Sequence, residues 1–222
     1  MCFGPKEAVD SRTNLVNQII AIASEWQQGT KLVLDFGKET TRICSDENSA
    51  NIRVNIKNSA DGQGLFQSLE GNDAAYASIS GYEPYSMTLL FPEGDQYYQN
   101  TNVMRFYVLH EFGHALGCIH EHQQPNEHLK WNEDAVYAAF SGPPNYWSKA
   151  DIDQNILEKY SPNGISATRF DRKSIMLYQF DGSLFTDGKG TPLNTHLSQL
   201  DEQMIGQMYP KAASHAAVAR IA

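Results

Sequence analysis

Apolar residues fall at helical spacing through Leu15, Ile19, Ile22 and Trp26, with Ser11 ahead of them and Gly29 behind. The pattern predicts one amphipathic helix over 11–28, capped by Ser11 and stopped at the glycine. Downstream the period changes to two. Leu32, Leu34 and Phe36 alternate in 31–36, and Ile52, Val54 and Ile56 in 52–56, as half-buried strands do. Beyond a glycine-rich segment at 60–64, two more strand candidates, 75–80 and 86–91, flank a break that contains Gly81 and Pro84. The first half of the chain therefore reads as strand-rich.

A longer helix is predicted over 101–117, with Val108, Leu109, Phe112, Ala115 and Leu116 as its apolar face. After it, Asn132 caps a short helix through Phe140 that Gly142-Pro143-Pro144 ends. Ser148 with Asp151 forms a capping box for a helix through about Tyr160. Ser198 with Asp201 repeats the box before a final helix that carries Leu200, Met204, Ile205 and Met208 and stops at Pro210. Residues 211–222 read as an alanine-rich tail. A β-rich half, a helix at the junction and a looser, more helical half make an α+β domain over 1–210, in lobes of about 1–117 and 118–210 with a cleft between.

Composition narrows the function. The chain of 222 residues suits one catalytic-sized domain, and its net charge of −9 argues against a general affinity for nucleic acid or anionic membrane. No apolar run approaches the roughly 20 residues of a spanning helix, and no secretory leader opens the chain. Three cysteines, Cys2, Cys44 and Cys118, allow at most one disulfide. A Cys2–Cys44 bridge would suit a secreted protein and leave Cys118 as a small buried thiol; Cys2 could instead cap a metal in a latent form.

The chemistry concentrates at His110-Glu111-Phe112-Gly113-His114-Ala115-Leu116-Gly117-Cys118-Ile119-His120-Glu121. Four residues apart on a helix, His110 and His114 project from one face and suit a single zinc ion. Glu111 lies beside that face, placed to take a proton from water and return it to a leaving amine. Gly117 can adopt positive φ and swing the chain back, which brings His120 in as third ligand and leaves one zinc position open. His122 competes for that place, but the spacing from Gly117 favours His120 and assigns His122 to the surface or a second shell. A helix with core histidines is the plainer alternative; the added glycine and third histidine make it a poor explanation of the pattern. Bound zinc would lower the pKa of water from ~16 to ~7, so Glu111 has a tractable proton to move.

Met176, fifty-six residues after His120, stands in the segment Ser174-Ile175-Met176-Leu177-Tyr178. The long zinc motif followed by this Ser-x-Met-x-Tyr segment resembles the metzincin metallopeptidases, and Glu121 directly after the third histidine resembles their astacin branch. Trp131-Asn132, Gly142-Pro143-Pro144-Asn145, Trp147-Ser148-Lys149 and Phe170-Asp171 are similar to a bacterial and fungal set of astacin-like secreted proteases. The resemblance implies a zincin with a twisted mixed sheet, two long helices in the amino-terminal lobe and a mostly helical or irregular carboxy-terminal lobe. It implies one catalytic Zn2+ on His110, His114 and His120, Glu111 as general base, and Met176 in a Met-turn beneath the metal. Tyr178 matches a tyrosine that serves as a further zinc ligand and swings to stabilise the oxyanion, and Glu121 matches a glutamate that pairs with the mature amino terminus. Leu177 stands where many astacins carry histidine, and the usual astacin cysteine pattern is absent. The implied activity is hydrolysis of internal peptide bonds in protein or peptide substrates by a monomeric enzyme, with substrate extended along strand 86–91 as the edge before the zinc helix. A serralysin- or matrixin-like branch and a zinc protein without turnover are the other readings. Asp181-Gly182 and Asp187-Gly188 are isolated turn signals rather than calcium repeats, and Glu111 has no purpose in a purely structural site.

Overall fold

The computed structural model describes residues 1–38, 40–45, 50–58, 66–76, 85–163 and 165–211. Strand β1 (Cys2–Gly4) leads into helices α1 (Lys6–Ser11) and α2 (Thr13–Ala23), and a 3-10 turn follows at Ser24–Gln27. Strands β2 (Arg53–Lys57), β3 (Gln67–Ser68) and β4 (Met87–Leu90) come next, then a short α3 (Gln96–Gln99) and the long α4 (Thr101–Ala115). The remainder holds α5 (Glu133–Ser141), α6 (Lys149–Ile152), a π-helical turn at Asp153–Leu157, and α7 (Gln199–Met208). The sheet runs β1-β2-β4-β3, parallel throughout except for the antiparallel β3, so the predicted α+β class with a mixed sheet holds.

Apolar spacing located the core correctly and some boundaries wrongly. Ile19, Ile22 and Trp26 are buried as expected, Leu15 is only partly buried with its neighbour Val16 buried in its place, and the helix over 11–28 is three pieces. Ser11 is no cap: its hydroxyl donates back to the Glu7 carbonyl, and Arg12 breaks the helix. Gly29 does end the segment, at φ +75°. Residues 31–36 are no strand, although Leu34 and Phe36 are buried; Lys31 N–H donates to Tyr209 O and Leu34 N–H to the Gln27 side chain, which replaces a ladder. The strand proposed at 75–80 begins inside a 3-10 helix, Gly71–Tyr76, and its last four positions lie outside the described residues, as do the 60–64 segment and 212–222. The capping boxes Ser148–Asp151 and Ser198–Asp201 and the Asn132 cap form as predicted, though the first box starts a helix that ends at Leu157 rather than near Tyr160. Cys2 and Cys44 are bonded and Cys118 is free.

The main core packs the sheet, α2 and α4 together, with Ile175, Met176 and Ile205 reaching in from the later chain. A second cluster, around Val136, Ile152, Ile156, Phe180 and Phe185, supports the later segments. Helix α4 has no exposed polar face over its second half, because every residue from Val108 to Ala115 is buried, histidines and glutamate included. That is the signature of a helix enclosed on all sides rather than amphipathic. Gly113 makes the enclosure possible. Its missing side chain admits Met176 and Trp26, whose indole donates to Leu109 O at 3.0 Å; a Cβ there would stand 2.4 Å from the Met176 sulfur and 3.1 Å from the Trp26 ring. Gly113→Ala should therefore cost about 1–3 kcal/mol of stability through overpacking, seen as a lower urea midpoint with an unchanged slope.

Candidate metal centre

Helix α4 is started by Asn100, whose side chain accepts from Asn102 N–H. It ends in a Schellman turn. Gly117, at φ +97°, donates to His114 O at 2.8 Å, and Cys118 N–H donates to Gly113 O at 2.9 Å. This turn carries His120 back beneath the helix, as its spacing from Gly117 predicts. His110, His114 and His120 form a cluster whose ligand atoms lie within 4.8 Å of one another, the His114 Nε2 being 3.1 Å from the Nε2 of each neighbour.

The proton positions follow from the partners. His110 Nδ1 donates to Ile175 O at 2.9 Å, His114 Nδ1 to Cys118 O at 2.9 Å, and His120 Nδ1 to the Gln123 side-chain oxygen at 3.1 Å. Each acceptor is a carbonyl, so each Nδ1 carries the proton and each Nε2 presents a lone pair. Burial pushes all three pKa values down, that of His114 to about 4, which keeps the rings neutral. Three converging lone pairs repel unless a cation sits among them. Nitrogens ~2.1 Å from one tetrahedral ion stand roughly 3.4 Å apart, close to the spacing here, and this donor set suits zinc.

Glu111 is buried beside the cluster with one carboxylate oxygen unpartnered, and burial lifts its pKa to about 8. A cation alongside opposes that shift and favours the ionised form. Tyr178 stacks on His110 at 4.8 Å between ring centroids and lies 4.6 Å from His120. Burial drives its pKa well upward, so it is a neutral phenol. Met176 is buried against Gly113, and its carbonyl accepts from Glu121 N–H at 2.9 Å, which ties the third-histidine segment to this turn.

Glu121 is held by local donors, its Oε1 accepting from Asp171 N–H at 2.6 Å and from Gln124 at 2.7 Å, while the Met1 ammonium donates to Asp35 O. One expectation fails here. Strand β4 is no edge, since β2 covers one side and β3 the other; the edge of the described sheet beside β4 is Gln67–Ser68. His122 is not at the surface. It is buried, donates through Nε2 to Asn155 O at 3.1 Å and packs 5.2 Å from the His120 ring, outside the three-nitrogen cluster.

Sequence reasoning missed Gln123, whose only signal is its place three residues after His120. Its amide nitrogen donates to Gln154 O at 2.7 Å and Glu158 O at 3.1 Å, which turns its oxygen towards His120.

A helix-borne His-Glu-x-x-His pair completed by a third imidazole after a glycine turn defines a zinc-dependent metalloendopeptidase. No protein-family model matches the chain, and no curated protein does. Among solved structures, one of myroilysin is 30% identical and superposes with a TM-score of 0.72, covering 90% of this chain and 88% of that one. A crystal structure of myroilysin is 28% identical at a TM-score of 0.57, over 94% and 81%. High choriolytic enzyme 1, a hatching enzyme zinc-protease from the medaka Oryzias latipes, shares the fold at 17% identity and a TM-score of 0.53, over 94% and 88%. The chain belongs to the astacin family of metzincin zinc metallopeptidases.

Replacing Gln123 with leucine should free the His120 ring and weaken zinc binding by about 10- to 100-fold. Competition against a chromophoric chelator measures it, and unchanged affinity would remove Gln123 from the site.

Proposed function

We propose that His110, His114 and His120 hold one catalytic zinc ion, that Glu111 is the general base and acid, and that Tyr178 is the oxyanion donor. The observation that carries this reading is the convergence of three Nε2 lone pairs beside a buried carboxylate with a free oxygen. Zinc, when bound, supplies Lewis acidity, making water more acidic and polarising a peptide carbonyl.

Glu111 accepts a proton from the attacking water and delivers it to the departing amine, a double role for a buried carboxylate that a neighbouring cation would keep ionised. Tyr178, packed against the His110 and His120 rings, would donate its phenolic proton to the oxyanion and, with that group absent, would be a further weak zinc ligand. Met176 and its neighbours act as a Met-turn, a packed floor under the histidines. Substrate lies extended against Gln67–Ser68 and adds a strand by main-chain hydrogen bonds. That mode requires no chain end, so protein and peptide substrates are cut internally. No helix among the described residues is long and apolar enough to cross a membrane. The Cys2–Cys44 bond favours an oxidising, extracellular setting, and we infer a secreted enzyme that works as a monomer.

Digestion of casein, with and without chelator, tests the reading. Glu111→Gln should keep stoichiometric zinc while kcat/KM falls by about 10²–10⁴; full activity in this variant would exclude Glu111 as base. Tyr178→Phe should lower kcat about a hundredfold with little change in KM, and an unchanged kcat would end its oxyanion role.

A further inference from the structure

We propose that Asp201, in the first turn of α7, is a positioning residue for the zinc ligand His110, acting through Ser174 and the peptide unit between Ile175 and Met176. The proposal rests on the zinc reading above.

As the third residue after Ser198, Asp201 looks like the second half of a capping box, and its Oδ2 does accept from Ser198 N–H at 2.8 Å. That bond uses only part of the carboxylate. Oδ2 also accepts from Ile175 N–H at 2.9 Å, and Oδ1 accepts from the Ser174 hydroxyl at 2.7 Å. Burial pushes the Asp201 pKa up, and three donors oppose that shift by bonding to it as an acceptor.

The bonds beyond Ser174 run in one direction. Ser174 Oγ accepts from Met176 N–H at 3.1 Å. The carbonyl of that same peptide, Ile175 O, accepts from His110 Nδ1 at 2.9 Å. Each donor from the imidazole onward therefore points towards Asp201: ring N–H to carbonyl, peptide N–H to hydroxyl, hydroxyl to carboxylate. Aligned bonds in a dry interior polarise one another, and negative charge at the end of such a chain makes the distant ring a better donor at Nδ1 and a stronger base at Nε2. A ligating histidine commonly has a carboxylate or carbonyl behind it for this purpose. Here the two are joined in series, with the carboxylate supplied by a helix 91 residues on from the ligand (201 minus 110). Asn194 closes the arrangement, donating to Ser174 O at 2.8 Å.

A helix cap and a ligand-positioning group differ in what their loss does. The test compares Asp201→Asn, Ser174→Ala, Ser174→Thr and Ser198→Ala for zinc affinity by chelator competition and for melting temperature. Asp201→Asn and Ser174→Ala should bind zinc about tenfold more weakly than wild type, and Ser174→Thr, which keeps a hydroxyl, should restore the affinity. Ser198→Ala removes the helix cap but no member of the chain to His110; its melting temperature should fall while its zinc affinity stays within about twofold. Should Asp201→Asn fail to fold, the contrast between Ser174→Ala and Ser198→Ala decides the matter. Unchanged zinc affinity in Asp201→Asn or Ser174→Ala, or an equal loss in Ser198→Ala, overturns the proposal. A wild-type protein that binds no zinc overturns the metal reading instead.

Discussion

Three neutral imidazoles cannot aim their lone pairs at one point without a cation, and the structure around this centre is arranged to hold them there. Each ring is fixed by the proton on its far nitrogen. The acceptors come from three places: the turn at Ile175, the helix terminus at Cys118 and the side chain of Gln123. Burial keeps the rings uncharged, and the carbonyl partners choose the tautomer. Neither would be enough alone, since a buried ring free to flip would offer the metal a proton half the time.

That requirement explains a helix that is hydrophobic and polar in the same turns yet buried throughout. In water, α4 would expose His110 and Glu111; enclosed by the sheet, Trp26 and Met176, it presents them to a dry site. The same enclosure raises the Glu111 pKa and leaves one of its oxygens without a partner, a cost in folding that burial imposes on a carboxylate beside the three rings. The missing Cβ of Gly113 is the steric condition for this packing.

The later part of the chain serves as more than cover. Its first contribution is the Ser174–Met176 turn, held on one side by Asp201 and Asn194 and on the other by Glu121, so that the segment whose Ile175 carbonyl meets His110 is clamped from two directions. Glu121 has thereby been drawn into local bonds with Asp171 and Gln124.

What the sequence determined by itself was whatever depends on residues within a turn or two of each other. The spacing His110-His114 with Glu111 between them, the helix stop at Gly117 with the return of His120, and both capping boxes are short-range geometry, and each formed as read. Tertiary structure decided the rest. Alternation in 31–36 buried Leu34 and Phe36 without making a strand, because hydrogen bonds to Gln27 and Tyr209 took the place of a ladder partner. Among the described residues the sheet edge beside β4 fell to Gln67–Ser68 and not to 86–91, since strand order is set by which strands pair and leaves no mark in a single strand's period. The partners of the histidines were equally invisible, Ile175 lying 65 residues from His110 in sequence. A carbonyl acceptor has no residue signature, because every residue carries one, and only the fold selects which of them faces the ring.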